Sequence, residues 1–252
     1  MAIRKVEAFV LKRMLFRESS LLVTLFSKEV GKLKVLAKGV RKEKKSSAAY
    51  FEPFTRLSLV YYEKLKSDIH LASETSVLDS SSFLRARLDY FSYASYLIDL
   101  VDTLFGFYDP HPDAFDLLAQ AFSFFQSVPL ANVARVFEVK LLEQVGWLPV
   151  LNHCAVCGET GLERVFFSPQ QGGILCAKCE LKEPRTLPLS PKTLESLHFF
   201  LKNSFAESVK YRIDLQTERE LERAAERFIE FRIEYPLSSK RFLSELNSLQ
   251  RK

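Results

Sequence analysis

Two Cys-x-x-Cys pairs constrain this chain of 252 residues more than any other feature. Cys154 and Cys157 form the first pair, Cys176 and Cys179 form the second, and 18 residues separate the pairs. Each pair places two thiolates on one side of a tight turn, and two such turns supply the tetrahedral four-sulfur shell that zinc prefers. Four thiolates leave no open position for water. The spacing therefore predicts one structural Zn²⁺ ion per chain, in a compact insert at about residues 150–188.

Other interpretations of the cysteines are disulfide bonds and thioredoxin-like redox chemistry. Disulfides need an oxidising compartment, and the redox motif needs one pair at a strand-to-helix junction. The amino terminus, MAIRKVEAF, has neither the apolar segment nor the cleavage site of a signal peptide, so we expect a cytoplasmic protein in which disulfides are disfavoured. The adjacent His153 could replace one thiolate, although a histidine beside a complete cysteine set is more often incidental.

The first 80 residues show the period-two pattern of β-strands. Leu33, Val35 and Ala37 alternate with Lys32 and Lys34, which is typical of a half-buried strand. Strands are predicted at residues 6–11, 21–26, 32–38, 54–62 and 69–75. Five short strands with a longer connection after the third predict a small barrel of the oligonucleotide-binding type (OB-fold), and an SH3-like barrel fits nearly as well.

Helical periodicity replaces this pattern after residue 80. Apolar residues recur at spacings of three and four between residues 84 and 105, which predicts a long, largely buried helix. Further helices are predicted at about residues 115–125, 129–146, 190–200, 217–235 and 239–249. The expected fold is a multidomain α+β chain. An OB-fold β-barrel over residues 1–80 precedes an α-helical domain over residues 81–252, into which the four-cysteine zinc finger is inserted.

Positive charge is concentrated in the first third of the chain. The formal net charge is +5, and residues 1–82 alone carry 16 basic and 9 acidic side chains. A polyanion, and nucleic acid in particular, is the partner that this asymmetry favours. The densest basic cluster begins at Lys28, and its candidate DNA-contacting members are Lys32, Lys34, Lys38, Arg41, Lys42, Lys44 and Lys45.

Two alternatives apply to residues in this basic region. The lysines could form an ordinary solvated strand edge that blocks aggregation. The aromatic residues Phe51, Phe54, Tyr61 and Tyr62 could stack on bases, although aromatic residues at strand spacing are more often core.

The common local motifs of enzymes are absent from the sequence. The chain has no GxxxxGK[ST] phosphate loop, GxGxxG, HExxH or GxSxG motif. It also has no apolar stretch of about 20 residues, the length needed to span a bilayer. These observations favour a binding protein that is neither an enzyme nor a membrane protein.

Several short segments, in their order along the chain, resemble the RecO family of bacterial recombination mediators. They are residues 31–33 (GKL), 37–41 (AKGVR), 146–149 (GWLP) before the first cysteine pair, and 238–243 (SSKRFL) near the end. The resemblance spans essentially the whole chain. Some members of the family lack the cysteines, so the metal is not a requirement of the family activity.

The resemblance implies an OB-fold, a helical second domain and a non-enzymatic role in recombinational DNA repair. A protein of this family binds single- and double-stranded DNA, anneals complementary strands and, with RecR, helps to load RecA onto DNA coated with single-strand DNA-binding protein (SSB). The matching basic residues are Lys32, Lys34, Lys38 and Arg41. The implied location is the cytoplasm, in association with the nucleoid. The alternatives are a zinc-containing nucleic-acid-modifying enzyme and a protein–protein adaptor.

Overall fold

The computed structural model of the chain describes residues 2–41, 47–233, 237, 239–240, 242–243 and 245. The chain forms two compact units, the first made of Met1–Leu118 with Leu237–Lys252 and the second of Ala119–Pro236. Among the helices of the described ranges, none is both long enough and apolar enough to cross a membrane.

Five strands form a closed barrel in the first unit. They are β1 (Ala2–Phe16), β2 (Ser20–Ser27), β3 (Gly31–Ala37), β4 (Arg56–Glu63) and β5 (Ile69–Asp79). Their order around the barrel is β1-β2-β3-β5-β4, in which β1 also pairs with β4, and β3 and β5 are parallel. This Greek-key arrangement is the OB-fold, so the predicted fold is confirmed and the SH3-like alternative is wrong. All five predicted strands are present, and β1 and β5 extend beyond their predicted limits.

The interior of the barrel is built from the period-two pattern of its strands. Leu33, Val35 and Ala37 of β3 are buried, as their alternation with lysine predicted. A short 3₁₀ helix, Ser47–Phe51, lies between β3 and β4 and contributes the buried ring of Phe51. The apolar residues that fill the barrel with Phe51 are Val6, Ala8, Val10, Leu21, Val23, Leu25, Leu33, Val35, Ala37, Leu57, Leu59 and Tyr61.

Helices pack against the outer wall of the barrel within the same unit. They are α1 (Phe83–Ala86), α2 (Leu88–Leu104) and the first half of α3 (Pro112–Ser123). The ring centroids of Phe26 and Phe105 lie 5.6 Å apart, and those of Phe9 and Phe115 lie 4.8 Å apart. Because of this packing the compact unit extends to residue 118, whereas the predicted boundary at residue 80 marks only the end of the barrel. The predicted helix from residue 84 is interrupted at Arg87, whose backbone is extended (φ −129°, ψ 138°).

The second unit combines helices with a small sheet. The helices are α4 (Leu130–Gln144), α5 (Ala177–Glu180), α6 (Pro191–Lys202), α7 (Phe205–Ser208) and α8 (Leu215–Arg232). The strands β6 (Val165–Ser168), β7 (Gly173–Leu175) and β8 (Leu187–Leu189) form a sheet in the order β7-β6-β8. Helices α4, α6 and α8 pack on one another around Phe137, Phe200 and Phe228. The predicted start of α6 is confirmed, because Ser190 accepts a hydrogen bond from the Thr193 N–H and caps the helix.

Candidate metal centre and nucleic-acid interface

The four cysteines converge at one point in the second unit. The Sγ atoms of Cys154, Cys157, Cys176 and Cys179 all lie within 4.8 Å of one another, and Cys157 Sγ is 3.7 Å from Cys176 Sγ. A tetrahedron with Zn–S bonds of about 2.3 Å has S···S edges of about 3.8 Å, so this spacing fits a four-thiolate metal site. The sequence prediction that the two pairs come together is confirmed, and the cluster can hold a metal ion.

Short backbone turns hold each pair in place. The Gly158 N–H donates to the Cys154 carbonyl at 2.9 Å and closes the first turn, and Gly158 has a positive φ of 76° that glycine adopts without steric cost. The Cys154 N–H donates to the Glu159 carbonyl at 2.8 Å. In the second pair, the Cys179 N–H donates to the Cys176 carbonyl at 3.1 Å in the first turn of α5. The sulfur positions are therefore set by local chain geometry.

The thiols of the cluster have opposite tendencies to ionise. Burial acts to raise the pKa of Cys154, but N–H groups of Cys157 and Cys176 donate to its sulfur and lower that pKa to about 6. Burial and the neighbouring thiols raise the pKa of Cys179 to about 12. Four sulfur atoms this close resist full ionisation because their negative charges repel. A bound divalent cation supplies the charge that allows all four to be thiolates.

The four cysteines form no disulfide bonds, and all of them are free thiols. His153 is exposed and is not a member of the cluster. Within the described ranges, no other group of His, Cys, Asp and Glu side chains is placed to hold a metal ion.

The small sheet beside the cysteines has two apolar faces. Phe166 pairs with Leu175 across β6 and β7, and both side chains pack against the cysteine cluster. Phe167 pairs with Ile174, and the Phe167 ring lies 5.6 Å from Phe228 of α8. Gly173 allows this sheet to approach the chain at residue 150 closely, because a Cβ there would lie 2.5 Å from the residue 150 carbonyl oxygen. Phe166 and Leu175 therefore depend on the cysteines for their packing, and Phe167 depends on α8.

The basic cluster of the first unit does not form one continuous solvent-facing row. Lys32 is buried, and its ammonium lies 3.0 Å from a carboxylate oxygen of Asp102 on α2 and 4.7 Å from the Phe107 ring centroid. Lys12 also contacts Asp102. Residues 106–109 run beside β3 and cover the Lys32 side chain, so the prediction that Lys32 contacts DNA stays a prediction without support from its burial. The Tyr108 N–H donates to the Lys32 carbonyl at 3.0 Å in this arrangement.

The next three basic residues are more accessible. Lys34 is half-buried, with its ammonium 4.8 Å from the Phe107 ring centroid, and Lys38 and Arg41 are exposed beyond the end of β3. The Arg41 guanidinium donates to the Glu18 carbonyl at 3.0 Å, and the Arg41 N–H donates to the Ser19 carbonyl at 3.2 Å. Arg41 is therefore held against the turn between β1 and β2. The candidates Lys42, Lys44 and Lys45 lie outside the described residues.

Three of the four aromatic residues that were candidates for contacts with bases are buried, and the fourth, Tyr62, is half-buried on β4. Phe51, Phe54 and Tyr61 are core residues, as the more common alternative for aromatic residues at strand spacing predicted. More exposed aromatic rings in this unit include Phe16 at the end of β1, Tyr50 in the 3₁₀ helix, and Phe107 and Tyr108 beside β3. The signal for Phe16 was present in the sequence, because residues 14–16 are apolar and lead directly into the polar turn at residues 17–19.

Known proteins resemble this chain over nearly its whole length. The family model described as "Recombination protein O N terminal" matches residues 1–81, and the model described as "Recombination protein O C terminal" matches residues 85–241. These two matches meet close to the end of β5.

Three curated relatives illustrate the similarity. "DNA repair protein RecO" of Anaeromyxobacter dehalogenans strain 2CP-C is 32% identical over 247 residues, which is 97% of each chain. The protein of the same name from Shouchella clausii is 31% identical over 251 residues, 98% of this chain and 96% of the relative. The one from Caldicellulosiruptor saccharolyticus is 30% identical over 210 residues, 83% of this chain and 84% of the relative. The chain therefore belongs to the RecO family of DNA repair proteins.

Proposed function

We propose that this protein binds single- and double-stranded DNA and anneals complementary strands during recombinational repair, without enzymatic activity. The observation that carries the proposal is an OB-fold barrel with the exposed basic residues Lys38 and Arg41 just beyond the end of β3, in a chain that belongs to the RecO family. OB-folds bind oligonucleotides through the face of strands 2 and 3 and the adjoining loops. Basic side chains there neutralise phosphates and give affinity that is largely independent of sequence.

The proposed DNA interface is built on Lys34, Lys38 and Arg41. The sequence continues from Arg41 into Lys42, Lys44 and Lys45, which would extend the positive charge along the phosphate backbone. Lys32 is left out of this interface, since it is buried against Asp102. In a chain that anneals strands, such contacts must be numerous and individually weak, so that a strand is both held and released.

We further propose that the four thiolates hold one Zn²⁺ ion with a structural role. The ligands would be Cys154, Cys157, Cys176 and Cys179, whose sulfur spacing matches a closed tetrahedral site. When bound, zinc supplies folding free energy to the insert, and no further position is available for a substrate. The thiolates themselves orient the two turns and shield Phe166 and Leu175 from water.

The partners proposed from the family are RecR, SSB and, indirectly, RecA. In this account the protein acts in the cytoplasm at the nucleoid and, with RecR, brings RecA to DNA that SSB covers. The zinc-containing nucleic-acid-modifying enzyme and the protein–protein adaptor are the alternatives that the following experiment separates.

The test mixes the purified full-length protein with two complementary oligonucleotides, one labelled with a donor and the other with an acceptor fluorophore, without nucleotide or added cofactor. We expect annealing that is faster than the spontaneous reaction and that falls as salt rises. Strands that are cut or modified would indicate the enzyme. Strands that stay separate and unbound would indicate the adaptor, and either result would contradict the proposal.

A further inference from the structure

The turn between β1 and β2 exposes three consecutive apolar side chains that the DNA interface described so far does not use. We define the hairpin tip as residues 13–19. Its side chains Met14, Leu15 and Phe16 are 61%, 68% and 36% exposed. Leu15 lies on the strand face that carries its partner Leu21, and Met14 and Phe16 lie on the opposite face. The tip therefore exposes apolar surface on both faces, and exposed apolar surface of this kind marks interaction sites.

The hairpin tip is held firmly by contacts with its surroundings. Leu15 pairs with Leu21 and Phe16 pairs with Ser20, so the β1–β2 ladder continues to the turn. Arg13 forms an ion pair with Glu52 at 2.7 Å, and its guanidinium donates to the carbonyl of residue 48 at 3.2 Å. The apolar side chains are therefore presented on a fixed scaffold, which lowers the entropy lost when a ligand binds.

Basic side chains surround these apolar residues. Arg17 lies in the turn itself, with its guanidinium carbon 5.5 Å from the Phe16 ring centroid, and Arg41 is bonded to the backbone of the turn. Glu52 already pairs with Arg13, which leaves Glu18 as the remaining acidic side chain of the tip. The surroundings are net positive, with Arg13, Arg17 and Arg41 against Glu18 and Glu52.

The chemistry of the tip selects a ligand that is anionic and also has exposed apolar faces. A single nucleic-acid strand has both, because its phosphates are charged and the faces of its unpaired bases are free. In a duplex those faces are stacked and cannot be reached without unstacking. Charge complementarity therefore favours nucleic acid, and the apolar side chains favour its unpaired form.

We propose that the hairpin tip binds unpaired bases of a DNA strand, with Leu15 and Phe16 contacting base faces and Arg17 and Arg41 contacting the flanking phosphates. This contact makes the protein bind single strands more tightly than duplex. It also holds bases unpaired and accessible for pairing with a complementary strand. The inference rests on the proposed DNA-binding function and adds the recognition element for single strands.

The test measures fluorescence anisotropy of the full-length protein with three labelled probes of equal length. They are a mixed-sequence single strand, the corresponding duplex, and a strand in which abasic tetrahydrofuran units replace the nucleotides. The variants are Leu15→Ser and Phe16→Ala, and Ile3→Ser is the matched control because Ile3 is 66% exposed at the opposite end of the same strand. All the changed side chains are exposed, and circular dichroism and thermal melting confirm that each variant folds.

We expect Phe16→Ala and Leu15→Ser to weaken binding to the normal single strand by about 5-fold or more, the effect of losing one base contact. Binding to the duplex and to the abasic strand should change less than about 2-fold, and the salt dependence should be unchanged because no phosphate contact is lost. Ile3→Ser should bind all three probes as the original protein does.

The outcomes separate this inference from the proposed function. If the original protein binds the normal and abasic strands equally, or if the tip variants bind single strands unchanged, the tip does not contact bases and the inference is wrong while DNA binding stands. A tip that docks another protein would give this second result. If the original protein binds none of the three probes, the proposed function itself fails.

Discussion

The ammonium of Lys32 on β3 lies 3.0 Å from a carboxylate oxygen of Asp102 on α2, and both side chains are largely withdrawn from solvent. Burial acts to raise the pKa of Asp102, but hydrogen bonds from Lys12 and Lys32 outweigh burial and hold that pKa below its ordinary value of 3.8. The pair fastens helix α2 to the wall of the barrel. A residue that sequence reasoning assigned to DNA is thus part of the framework that supports the interface.

The buried pair should be important for stability. We expect Asp102→Asn to lower the free energy of unfolding by about 3 kcal/mol, because it leaves the Lys32 charge buried without its counterion. Urea denaturation measures this change. The matched control is Asp116→Asn, which removes the partner of Lys28 in an ion pair that is about half exposed, and we expect it to cost less than about 1 kcal/mol. Equal costs for the two variants would contradict the framework role of Asp102.

The sequence predicted the alternation in β3 correctly but not the surroundings of its lysines. Leu33 and Val35 fill the barrel because the period of a strand is fixed by local geometry. Lys32 is covered by Phe107 and Asp102, which lie about 70 residues further along the chain, and no local pattern reports such a contact. For the same reason the sequence indicated where the barrel ends, near residue 80, and that helices follow it. It did not indicate that these helices pack on the barrel.

Loss of one metal ligand should affect the insert selectively. We expect Cys176→Ser to abolish binding of one zinc ion per chain and to expose Phe166 and Leu175, which pack against the cysteines. Phe167 should stay buried, because it packs on Phe228. Elemental analysis, thermal melting and limited proteolysis measure these effects, with early cleavage expected between residues 158 and 186. Lys178→Ala, in the same turn and exposed, is the control and should keep its zinc.

A melting curve for Cys176→Ser that equals that of the original protein would contradict a structural metal. A variant that keeps its stability and loses only a chemical activity would instead favour the enzyme. The cysteine spacing predicted that the two pairs come together, and each turn of four residues sets the positions of its own two sulfurs by local geometry. The division of the insert into two apolar faces required the structure, because only the position of α8 shows which face the helices cover.

Stability should also depend on pH through His70 of β5. His70 is buried, and its ring stacks on Tyr61 with the ring centroids 5.2 Å apart. The imidazole accepts a hydrogen bond from the Lys64 N–H. Burial lowers the pKa of the imidazole from the ordinary value of 6.5. The unfolded chain binds the proton more readily than the folded one. The neutral ring therefore makes its full contribution to the free energy of unfolding above pH 6.5. That contribution is lost as the pH falls from 6.5 through the pKa of the folded state.

We expect the melting temperature of the original protein to fall between pH 7 and pH 5, and His70→Asn to remove most of that slope. Asparagine keeps an acceptor for the Lys64 N–H but does not titrate. His198→Asn, in the second unit, is the control and should keep the slope. A slope that persists in His70→Asn would assign the acid sensitivity to other groups.

The salt dependence of DNA binding tests the central claim most directly. The measurement is the slope of log affinity against log salt for a single strand, in the original protein, in the triple variant Lys34→Ala, Lys38→Ala and Arg41→Ala, and in Lys32→Met. Each phosphate contact contributes about 0.7 to the slope, so the triple variant should weaken binding to any sequence and flatten the slope by up to about 2, while Lys32→Met should leave it unchanged. A triple variant with the original slope and affinity would contradict the account.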